Sequence, residues 1–122
     1  MGYRSDVYIA VKKTDYENLV EKVSSSEFEL IVGNEKNIYA VRSLLKWGLI
    51  KTDCFSEPDY IEIYFGDIKW YEDYYEVQFI HKWLDEIEYY DMIIFGEELN
   101  DNTVILNSGF YLYDTRREIV RN

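Results

Sequence analysis

The sequence predicts an α+β fold, a single domain over residues 1–122 with a largely antiparallel sheet of about four strands. Two or three amphipathic helices would pack on one face of that sheet. Three observations carry this expectation. Two segments, Asp6 to Lys12 and Tyr60 to Trp70, alternate apolar and polar residues as half-buried strands do. The chain between and after them repeats apolar residues at helical spacing. And 122 residues with 48% apolar composition suffice for one core without metals or disulfides.

Element by element, Val7, Ile9 and Val11 face one way on the first strand and Asp6, Tyr8 and Ala10 the other. Thr14 with Glu17 three residues on reads as a capping box opening a helix. Tyr16, Leu19, Val20 and Val23 form that helix's apolar side, and the run Ser24-Ser25-Ser26 ends it. Phe28 to Val32 fits either a short strand or a helical turn. Asn34 reads as a second N-cap, followed by the stripe Ile38, Val41, Leu44 and Leu45 and a stop at Gly48. Thr52 to Asp59, with the lone Pro58, is a loop. Ile61, Ile63 and Phe65 alternate with Tyr60, Glu62 and Tyr64 in the clearest strand. A third helix spans about Glu72 to Ile87, with Val77, Ile80, Leu84 and Ile87 on its apolar face. Met92 to Phe95 is a short strand and Glu97 to Asn102 an acidic loop. The end of the chain is either a hairpin of Thr103–Leu106 with Phe110–Tyr113 or a loop followed by one last strand from Tyr111 to about Val120.

Charge is the most distinctive property. The formal net charge is −11, and residues 53–101 hold fifteen acids against only Lys69 and Lys82, so this segment carries all the excess. Seven of the thirteen tyrosines lie in the same segment. Such a balance disfavours direct binding to nucleic acid or anionic lipid. No run approaches the length of a membrane span, the start lacks a signal-peptide pattern, and Cys54 is the single cysteine, so no intrachain disulfide forms. A cytoplasmic setting is expected.

Motifs for chemistry are weak. Asp59, Asp67 and Lys69 have the residue types of a metal-dependent nuclease or hydrolase, but eight strand residues would hold the two aspartates about 26 Å apart. Cys54 and His81 are a conceivable nucleophile and base with nothing to join them. No glycine-rich phosphate cradle is present. Neither a cofactor nor a metal is expected, and the chain does not read as an enzyme.

The opening Met1-Gly2-Tyr3-Arg4-Ser5-Asp6-Val7 and the later Gly66-Asp67-Ile68-Lys69-Trp70-Tyr71 resemble the corresponding parts of a group of short bacterial and phage proteins. The resemblance implies a bacterial cell or a phage-infected host and brings no site or activity with it. On the residues alone, Arg4 and Asp6 share a strand face and either pair with each other or bond the neighbouring strand.

The candidate site is the aromatic and acidic surface around the third helix: Tyr71, Glu72, Asp73, Tyr74, Tyr75 and Glu76 at its start, and Asp85, Glu86, Glu88 and Tyr89 at its end. Tyrosine buries large area at low entropic cost in interfaces. Acids at the helix end oppose the macrodipole at about 0.3–1 kcal/mol each, which hints at a role other than stability. The expected function is a small acidic protein-binding module, an inhibitor of a basic, nucleic-acid-handling or defence protein of the host, acting as anti-CRISPR or DNA-mimic proteins do. A nucleotide-binding protein is one alternative, provided that Arg4, Arg42, Arg116 or Arg117 converge, and a metal-dependent hydrolase or nuclease using Asp59, Asp67 and Lys69 is another. The tyrosine patch is also a possible homodimer interface.

Overall fold

The computed structural model describes residues 4–53, 55, 59–96, 102–107 and 112. Among these are five strands and four helices, in the order β1 (Ser5–Lys12), α1 (Lys13–Ser24), α2 (Ser26–Val32), α3 (Glu35–Trp47), β2 (Leu49–Lys51), β3 (Tyr60–Ile68), α4 (Tyr75–Glu86), β4 (Tyr90–Phe95) and β5 (Asn102–Leu106). The strands form one sheet, β2-β3-β1-β4-β5, with every neighbouring pair antiparallel. The α+β expectation holds, with more elements than the sequence suggests.

Alternation on β1 and β3 decides which face is buried under helices. Val7, Ile9 and Val11 lie opposite Phe65, Ile63 and Ile61. With Met92 these side chains pack against Leu19, Val23, Phe28, Val41, Leu44, Ile80, Trp83 and Leu84 from the helices. Each such buried side chain contributes about 1.5–3 kcal/mol of hydrophobic stabilisation. The opposite face is not simply solvated. Ala10 and Ile93 are fully buried there, with Tyr8, Phe55, Phe95, Val104 and Leu112 around them.

Several local expectations are corrected. Thr14 is not an N-cap: β1 runs directly into α1, Lys12 occupies the cap position without a side-chain bond, and the Lys13 amide donates to the Asp59 carbonyl at 2.7 Å. A tertiary partner thus replaces the capping box. Phe28 to Val32 is helical, because the Ser25 hydroxyl accepts from the Phe28 amide and Gly33 ends α2 in the left-handed region at φ 73°. Asn34 caps α3 as expected, its side-chain oxygen accepting from the Asn37 amide at 3.1 Å. β2 was not visible in the sequence. α4 begins at Tyr75, so Glu72 and Asp73 precede the helix rather than occupy its first turn. The last strand seen, β5, pairs with β4. Cys54, Pro58, residues 97–101, and the proposed strands over 110–113 and 111–120 (Leu112 apart) lie outside the described residues, as do Arg116 and Arg117.

The two segments that carry the resemblance meet at one corner of the sheet. Arg4 Nη1 donates to the Asp67 carbonyl at 3.1 Å, and Asp6 Oδ1 accepts from the Asp67 amide at 2.8 Å and from the Tyr64 hydroxyl at 3.3 Å. These bonds sit at an irregularity in the β1–β3 register and hold Asp67 at φ 51°, a region that aspartate tolerates better than most residues. Both Arg4 and Asp6 therefore bond the neighbouring strand.

Burial first, then the charge and the hydrogen bond of Asp6, raise the Tyr64 phenol above its ordinary value of 10.0. A raised phenol holds its proton more tightly in the folded chain than in the unfolded one, so this contribution to stability is complete below pH 10 and lost as pH rises through the folded value. Urea unfolding on both sides of pH 10 is expected to show this decline, and Tyr64→Phe to make it shallower; an unchanged slope would contradict the assignment.

Candidate functional site

The long acidic segment crosses the sheet's length three times, up β3, back along α4 and again in β4. Its carboxylates are consequently parted. At the end of the sheet marked by Ser5 and Ile68, the turn before α4 carries Glu72 and Asp73, both exposed. Beside them the Tyr71 and Tyr74 rings meet edge to face at 5.1 Å, and the Tyr74 amide donates to the Tyr71 carbonyl at 3.0 Å. Both rings are half-buried. Gln78 fastens the turn to the helix, its side-chain amide donating to the Glu72 carbonyl at 2.9 Å.

Below that turn lies its support. Trp70 stacks on the fully buried Phe65 at 5.7 Å between ring centroids, and its indole N–H donates to His81 Nε2 at 3.2 Å. His81, on α4, is thereby the acceptor for the Trp70 indole. Tyr75 turns the other way, lying near-parallel to Phe79 at 6.5 Å and packing on the core. Glu76 is half-buried.

At the opposite end of the sheet, marked by Lys12 and Tyr60, Asp85, Glu86 and Glu88 are exposed. Tyr89 is half-buried with the Lys12 ammonium 5.2 Å from its ring centre. Burial, and then the Asp85 charge, raise the neighbouring Tyr90 phenol. Twelve helical residues at 1.5 Å each put the two acidic ends roughly 18–20 Å apart. The face of α4 between them presents Gln78 and Lys82, not carboxylates.

Of the ten residues singled out from sequence, nine thus gather at two poles, one at each end of α4, rather than in one continuous stripe, and Tyr75 turns away onto the core. Two further acids of the segment are not on the surface at all. Glu62 and Asp91 are buried on the far face of the sheet, where both are paired in register with Ala10. Asp91 accepts the Asn107 amide at 3.0 Å. Period-two alternation could have signalled this, since Glu62 and Asp91 fall on the same sheet face as Tyr64 and Ile93.

Asp59 and Asp67 flank opposite ends of β3, the separation that its length dictates. Among the described residues, no group of three or more His, Cys, Asp or Glu side chains is gathered as a metal site. The two arginines among the described residues are divided likewise: Arg4 binds the Asp67 corner, whereas Arg42 sits at the junction of α1, α2 and α3. No helix of the described residues is long and apolar enough to cross a membrane.

The class these features define is a small α+β domain with a helix-covered antiparallel sheet and an acidic helix flanked by aromatic rings. No family model, curated protein or solved structure matches the chain.

Proposed function

We propose that the protein is a small acidic binding module that docks on a basic protein, of the kind that handles nucleic acid, and inhibits it. In a bacterial cell or a phage-infected host such a partner would belong to nucleic-acid processing or defence. The observation that carries this reading is the repeated pairing, at both ends of α4, of exposed carboxylates with half-buried tyrosine rings. Arginine is the side chain such a pair suits best, since its guanidinium stacks on an aromatic face while it donates to a carboxylate. Two poles roughly 18–20 Å apart would engage two basic clusters across a groove, each strengthening the other through rigid linkage. Long-range attraction to a net charge of −11 would speed association.

The test is a quantitative pull-down from a bacterial host, with affinities then measured for the retained proteins at low and high salt. Glu72→Lys with Asp73→Lys is expected to weaken binding at least tenfold, and Asp85→Lys with Glu86→Lys likewise; both losses should shrink as salt rises. If the retained proteins are not basic, or both double variants retain them as well as the parent chain does, the reading is wrong.

A further inference from the structure

We infer that the groove between α1, α2 and α4 is a binding site for a small aromatic anion, a ring system carrying one carboxylate or phosphate. This goes beyond the protein-docking reading and does not depend on it. The cavity has a volume of about 250 Å³. Its floor is apolar and aromatic: Leu19, Phe28 and Trp83 are buried core residues, and Phe79 and Tyr75 lie partly open above them. Ile31, 68% exposed on α2, forms one wall that the chain itself does not cover.

Charge complementarity chooses the occupant. Lys22 from α1 and Lys82 from α4 both line this groove, whereas among the described residues its only carboxylate is Glu86. A groove with two ammonium groups and one acid is opposite in sign to the rest of a chain with net charge −11. Among the described residues, neither lysine is ion-paired with a carboxylate within 4.0 Å. The Lys22 ammonium stands 5.9 Å from the Phe79 ring centre, at the level where a ring in the groove would present its anionic group. The adjoining hollow shares Lys22, Phe28 and Ile31 but adds Glu21 and Glu27. Those acids repel an anion, so the ligand's charged end is expected between Lys22 and Lys82, away from the adjoining hollow. The volume is slightly below that of drug-sized sites and suits one or two fused rings. It is too small for a docked helix, whose diameter with side chains is about 10–12 Å.

The Tyr75 and Phe79 rings, 6.5 Å apart between centroids and inclined by 30°, supply apolar aromatic surface for a ring, with the two lysine ammonium groups at its rim. Lys22 and Lys82 lie outside both acidic poles, so substituting them leaves the carboxylates of the docking surface in place.

The experiment titrates the intact chain with 2-naphthoate, with its neutral analogue 2-naphthamide and with 2-naphthyl phosphate, following calorimetry and amide and indole NMR shifts. Naphthoate or naphthyl phosphate is expected to bind at submillimolar concentration and to shift the Trp83 indole and the amides of α2 and α4. With the ring system held constant, whichever binds more tightly identifies the preferred head group as carboxylate or phosphate. The amide should bind at least tenfold more weakly than naphthoate, and Lys22→Gln with Lys82→Gln should weaken the anion at least tenfold while leaving thermal unfolding unchanged. Absence of binding by both anions, equal affinity for naphthoate and its amide, shifts located away from the groove, or full affinity in the folded double variant would each overturn the inference.

Discussion

Phe65→Ala is expected to destabilise the chain by about 4 kcal/mol, within the range for removing a buried phenylalanine. The position belongs above the floor of that range because its surroundings cannot close the gap. The ring is fully buried, stacks on Trp70, and lies so near the backbone at Gly48 that a Cβ added there would come within 2.8 Å of it. One wall of the resulting cavity is main chain at the α3–β2 corner, which does not collapse inward as a side chain can. With typical domain stabilities of about 5–15 kcal/mol, this loss takes roughly a quarter or more of the total. Urea unfolding measures it directly, and a loss below about 1 kcal/mol would show that the ring is not the wedge described. The same substitution tests the site. Trp70 would lose its stacking partner and, with it, a fixed path to His81, so the Tyr71–Glu76 turn should loosen. Phe65→Leu, which retains most of the volume and is expected to fold, should therefore weaken binding of a basic partner through the Glu72 pole more than through the Asp85 pole.

How far the fold could be read from the residues follows from where each pattern gets its stability. β1, β3 and α4 were legible because a buried face imposes its period on the sequence: Val7, Ile9 and Val11 must alternate to face the helices, and Val77, Ile80 and Leu84 must recur to face the sheet. β2 was illegible since Leu49, Ile50 and Lys51 are all exposed, and an edge strand with no buried side carries no alternation. Thr14 was misread because the bond that starts α1 runs from the Lys13 amide to the Asp59 carbonyl, forty-six residues onward. The tyrosine and acid content of the site was plain, but its geometry was not. Density of acids along the chain says nothing of density in space when the segment runs end to end across the sheet. Among the described residues it therefore yields two poles at the ends of α4 and two buried carboxylates rather than one patch. The groove was invisible for the converse reason: Lys22 and Lys82 are sixty residues apart and only the packing of α1 beside α4 unites them.

Arg42→Ala is expected to cost about 3 kcal/mol, which for a domain of this size lowers the melting temperature by roughly 10 °C. The last carbonyls of a helix have no partner within it, and Arg42 supplies one across space. Its Nε donates to the Val23 carbonyl at 2.9 Å and its Nη2 to the Ser25 carbonyl at 3.3 Å, closing the end of α1 and the step into α2. Nη1 pairs with Glu29 at 3.0 Å, and the guanidinium lies 5.8 Å from the Phe28 ring centre. The ion pair is half-exposed and contributes little by itself. The weight falls on the charge-assisted bonds to carbonyls and on the positive charge at the negative end of the α1 dipole. Arg42→Lys keeps the charge but not the planar fork, so it should recover less than half of the loss; full recovery would make charge, not geometry, the agent. This role also bears on the nucleotide alternative. Three of the guanidinium's donors already have protein acceptors, and a phosphate could recruit Arg42 only by opening the joint between α1, α2 and α3. Should Arg42→Ala melt within about 2 °C of the parent chain, that joint is held by its apolar contacts alone and the guanidinium is free to serve a ligand.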